Sequence, residues 1–116
     1  MRYINRAVAV IKPRQPFVDW INQLPDYDET LSLRDLRATQ DFTAYLIPEY
    51  EMPDEAYEYI KGMYETIFKR ELEGWYRDSK FWPKKRDYET FLEWFVVELH
   101  SEVIDTIDSR ITKSKM

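Results

Sequence analysis

The chain has 116 residues, 44% of them apolar and 16% aromatic, with a formal charge of −5, two Gly and no Cys. This is the size of one domain, able to bury roughly two-thirds of its unfolded surface without disulfides or metals. Lack of Cys excludes disulfides, thiolate nucleophiles and sulfur-ligated zinc, and two Gly leave no phosphate-cradling loop or dinucleotide fingerprint, so no cofactor is expected.

Arg6 to Ile11 holds the longest unbroken apolar run, Ala7 to Ile11. It is far too short for a membrane span or a signal-peptide core, so a cytoplasmic protein with no membrane partner is expected. Apolar residues occupy both faces of this β-prone stretch, predicting an interior strand of a sheet covered on both sides. Pro16 suits the first position of a helix, and Phe17, Trp20, Ile21 and Leu24 follow at helical spacing until Pro25 stops them. Ser32 and Asp35 have the spacing of a capping box, predicting a short helix over Leu33 to Ala38. Thr43 to Ile47 reads as a second strand closed by Pro48.

Pro53, Asp54 and Glu55 open the longest helix, with Pro near its first position and acids where the helix dipole favours them. Ala56, Ile60, Met63 and Ile67 form one apolar row, with Tyr64, Phe68, Leu72 and Trp75 beside it. Gly62 inside this helix predicts a close backbone approach. Asp87 suits the N-cap of a further helix with Tyr88, Phe91, Leu92 and Phe95 facing inward. After Phe95 both strand and helix periodicities fit residues 96–107, and the β-branched density of Val96, Val97, Val103 and Ile104 favours a strand over 97–104. The resulting order is β-α-α-β-α-α-β: an α+β fold in which a small sheet of about three strands carries several helices. Residues 1–108 are expected to form a single globular domain, and 109–116 a frayed tail.

Three places are candidates for chemistry. The first is "GWYRDSKFWPKKR", residues 74–86, which sets five cations and four rings in an otherwise acidic chain. Trp75, Trp82, Lys84, Lys85 and Arg86 would form its binding surface, since interleaved rings and cations suit single-stranded nucleic acid. The competing reading is a corner between two helices, with Trp75, Phe81 and Trp82 packed on the core and the Lys residues solvated. The acidic net charge disfavours a polyanion, so the corner is the expected outcome.

The second candidate is Glu98, His100 and Glu102, which share a face if the segment is a strand. They would then offer a divalent metal site, or a general base in the only His of the chain; a merely polar strand face is the preferred reading. The third is the acidic loop Asp26, Asp28 and Glu29, which lacks EF-hand spacing and reads as solvated. Catalytic inventory is poor: no Cys, one His and no nucleophile-elbow motif.

Nineteen rings in 116 residues exceed what a small core easily hides, so some are expected at a partner surface. The sequence is therefore best read as a non-enzymatic module that binds protein or itself, as a homodimer or larger homo-oligomer. A small enzyme or metal-binding protein centred on His100, and a nucleic-acid accessory protein using residues 74–86, are the alternatives.

Overall fold

Ala7–Pro13 forms a seven-residue strand (β2) and lies at the centre of the sheet, preceded by the two-residue strand Arg2–Tyr3 (β1). In the computed structural model, which describes residues 1–26 and 29–116, three elements follow: helices α1 (Gln15–Asn22) and α2 (Leu33–Ala38), then strand β3 (Thr43–Ile47). The chain continues through helix α3 (Pro53–Glu73), a 3-10 turn (Ser79–Phe81), helix α4 (Tyr88–Trp94) and strands β4 (Phe95–His100) and β5 (Ile104–Asp105). Helices take 39% and strands 19%, so the fold is α+β.

Local chemistry sets most boundaries. Pro starts α1 and α3 where its missing N–H costs nothing. Ser32 Oγ accepts from the Asp35 amide at 3.0 Å and Asp87 Oδ1 from the Thr90 amide at 2.8 Å, capping α2 and α4. Gln40, with φ of 52°, takes the left-handed conformation between α2 and β3.

β2 pairs antiparallel with β3 on one side and β4 on the other. Val10 stands opposite Ala44 and Glu98, and Ile11 opposite Thr43 and Val97. Helices α1, α3 and α4 contribute to one core with one face of this sheet. Ala7, Ala9 and Ile11 meet Phe17, Trp20, Ile60, Ile67, Phe68 and Phe91 there, all buried. Small Ala side chains on the central strand let the ring-bearing helices approach closely. Phe17, Phe68 and Phe91 surround Phe95 at centroid distances of 4.9, 5.5 and 5.4 Å.

Five expectations are corrected. The sheet is covered on one face only: along β2, buried Ala7, Ala9 and Ile11 alternate with half-exposed Val8, Val10 and Lys12. The last long strand runs 95–100 rather than 97–104, because Phe95 leaves α4 already extended (φ −137°, ψ 147°). Gly62 makes no close approach, since nothing lies within 4 Å of the Cβ it lacks. Met63, Leu92 and Phe81 are exposed rather than inward. The rings are also largely hidden: among the described residues six are buried, eight half-buried, and four (Tyr3, Tyr57, Tyr59 and Phe81) are exposed.

Beyond the sheet, β1 pairs antiparallel with β5, placing Tyr3 opposite Ile104. Four residues separate Tyr3 from Val8 and three separate His100 from Ile104, so β1 and β5 form a two-stranded arm of their own, one residue out of step with the β2–β4 ladder. The radius of gyration is 15.8 Å and the extents are 45 × 28 × 28 Å, against about 13 Å for a compact chain of this length. Residues 109–116 have no regular secondary structure and are exposed.

Candidate functional site

Alternation along three paired strands builds the uncovered face of the sheet. Cross-strand partners share a face, so the register assembles three rows: Leu46–Val8–His100, Ala44–Val10–Glu98 and Lys12–Val96. Five of these eight residues are apolar, and Leu46 is 50% exposed. Phe42 borders the face at its lower corner, with Lys12 Nζ 5.7 Å from its ring centroid. Arg37, which donates from its guanidinium to the Pro13 carbonyl at 3.0 and 3.2 Å, helps form a shallow depression there with Gln40 and Val96.

The charges on this face neutralise each other. Lys12 Nζ donates to Glu98 Oε1 at 3.0 Å, and His100 Nε2 lies 3.1 Å from Glu98 Oε2, where only the ring can donate. The hydrogen bond from Lys12, and after it that from His100, holds the Glu98 carboxyl below its ordinary range. Both Glu98 oxygens are thus engaged. The strand ends at His100, so Glu102 is exposed in the following segment and does not complete a trio. Among the described residues no group of three His, Asp or Glu side chains could hold a metal. A cation 3.0 Å from Glu98 also opposes a divalent ion at that carboxylate.

Residues 74–86 form a corner between α3 and α4. Trp82 is buried, its Nε1 donating to the Tyr76 carbonyl at 2.7 Å, and the Trp20 indole donates to the Phe81 carbonyl at 2.7 Å. Trp75 is half-buried against the core. Arg86 sits over the Trp82 ring at 5.7 Å and donates to the Pro83 carbonyl, while Lys84 and Lys85 are exposed and Lys85 pairs loosely with Asp87 at 3.9 Å. Of the four rings, Phe81 alone is exposed, and its ring packs edge-on against Tyr76 at 5.1 Å. The stacking platform that a nucleic-acid strand needs is not assembled from these rings. Of the acidic loop, Asp26 and Glu29 are exposed and Asp28 lies outside the described residues.

One polar cluster has no local signature in the sequence. Tyr45 Oη donates to Glu71 Oε2 at 2.7 Å, and Arg70 Nη1 donates to the same oxygen and to Thr43 Oγ1, both at 3.3 Å. Burial first, and then the Glu71 carboxylate, push the Tyr45 phenol far above its ordinary value, so it remains a donor. Its members sit 26 to 28 positions apart in sequence, which no periodicity reveals. The uncovered face did leave a trace: Lys12 continues the Val8, Val10 alternation, and a cation in that series marks a wet side.

Comparison of the chain with known protein families, with characterised proteins and with solved structures gave no match. Among the described residues no helix is long and apolar enough to cross a membrane.

Proposed function

We propose that this chain is a non-enzymatic self-associating module whose partner is a second copy bound through the uncovered sheet face. The observation that carries the reading is the apolar and charge-balanced character of that face in a chain of net charge −5. A second acidic copy is repelled by most of the surface. On this face Lys12 and Glu98 cancel, so approach there meets the least repulsion, and burial strands no unpaired charge.

Area limits the geometry. Strands 4.8 Å apart and about six residues long give a face of roughly 300 Å², whereas a stable interface takes about 800 Å² from each partner. The interface therefore extends along the β1–β5 arm, where Tyr3, Ile104 and Ile107 are exposed at 75, 44 and 67%. Most of the described rings are already packed in the monomer and leave few for a partner.

The test is Val10→Glu, which adds a charge at the centre of the face without touching the core. It is expected to make the protein monomeric while leaving its far-ultraviolet circular dichroism unchanged. An oligomer that survives Val10→Glu would place the contact elsewhere and defeat the proposal.

A further inference from the structure

Where α2, β3 and the last turn of α3 converge, a cavity of about 170 Å³ opens to the surface. Its walls include buried Ile11, Phe17 and Phe95 and half-buried Leu36 and Trp75. Protein interiors seldom keep spaces much larger than a water molecule. An enclosed apolar cavity of about 150 Å³ is known to admit benzene, so this open, part-polar one has room for a single aromatic ring. Ring edges and aliphatic side chains on its walls suit such a guest.

Polar groups gather at one side. Asp41, Thr43, Arg70 and Glu71 line the cavity together. Glu71 has 14% of its side chain exposed, and its two oxygens are unequally used. Oε2 accepts from Tyr45 at 2.7 Å and from Arg70 at 3.3 Å, whereas Oε1 has only Thr43 Oγ1 at 3.5 Å. A contact that long is weak, leaving Oε1 able to accept a stronger hydrogen bond from a guest. An anionic guest would meet two carboxylates, Asp41 and Glu71, against the one Arg70 guanidinium, and an ammonium would offer Arg70 no acceptor. A neutral hydroxyl avoids both penalties: it donates to Glu71 Oε1 and accepts from Arg70.

We infer that this cavity is a binding site for a neutral, hydroxylated single-ring aromatic molecule. The site shares Phe42 with the border of the uncovered sheet face, but its walls at Ile11, Phe17 and Phe95 belong to the covered side.

Phenol is the probe, titrated into the full-length protein and followed by amide and indole nuclear magnetic resonance shifts. Saturable shifts are expected at Leu36, Thr43, Gly74 and Trp75, saturating by roughly 10 mM, the range natural for seven heavy atoms. Benzoate should bind at least about tenfold more weakly, because its charge meets two carboxylates against one guanidinium. Leu36→Phe, which fills the cavity from a half-exposed helix position, is expected to abolish the shifts. Glu71→Gln is expected to narrow the preference for phenol over benzene. Absence of saturable shifts with phenol, equal binding of benzoate, undiminished shifts in a folded Leu36→Phe variant, or an unchanged phenol-to-benzene preference in Glu71→Gln would each overturn the inference.

Discussion

Gly62 sits on the exposed side of α3 with helical backbone and open space where a Cβ would be. Glycine there loses more conformational freedom on folding than alanine does and returns no packing. Gly62→Ala is therefore expected to raise stability by about 0.5–1 kcal/mol, measured by urea unfolding; a loss would mean that the helix needs close approach at that point. Glu98 supplies the opposite case, a polar contact that acts only in its charged form. Its carboxyl is held low by Lys12 and then His100, so the stability it contributes is present above its unfolded pKa and disappears as pH falls through the lower folded value. Wild type should therefore exceed Glu98→Gln in stability near neutral pH, and the gap should close on acidification between about pH 5 and pH 3. A gap that stays constant over that range would show the ion pair to be energetically idle.

Segments differ in how far their own residues determine them. The starts of α1, α2, α3 and α4 were legible because a Pro or a capping side chain acts within one turn. Thr43–Ile47 was legible from β-prone residues bounded by Pro48, and Trp20, Ile60, Ile67 and Phe91 were recognisable as core from helical spacing. Which face of the sheet the helices cover was marked by Lys12 alone, since Ala7 and Val8 are both apolar and the choice is made by Ile60, Phe68 and Phe91, more than fifty residues away. Ala on the covered side and Val on the open side fits the close packing of rings, but β-propensity alone ranks them the other way. The Tyr45–Glu71 contact joins a strand and a helix for the same non-local reason. Residues 74–86 were recognisable as a corner from Gly74, Pro83 and Asp87, and their energetics should follow that role. Trp82→Ala removes a buried ring and a 2.7 Å hydrogen bond, and is expected to cost about 3–5 kcal/mol. Replacing Lys84 and Lys85 together by Ala should change stability by less than about 0.5 kcal/mol. Calorimetric unfolding of the two variants separates the roles; a large loss from the Lys pair beside a small one from Trp82 would contradict the corner.

On the scale of the whole molecule, three facts converge. The helices shield one side of a three-stranded sheet; the other side is apolar with its charges paired; and a separate two-stranded arm, β1 with β5, lies beyond the sheet. A monomer gains nothing from exposing Leu46, Tyr3 and Ile104, whereas a pair of copies meeting on the sheet face and arm would withdraw them from water, at roughly 25 cal/mol for each Å² of apolar surface buried. Net acidic charge over much of the remaining surface would weaken association there. Sedimentation equilibrium over a range of protein concentrations tests this most directly. The account predicts a reversible mass of twice the 14.2 kDa chain at high micromolar concentration, falling toward the monomer on dilution. A mass that stays at 14.2 kDa throughout that range would contradict it.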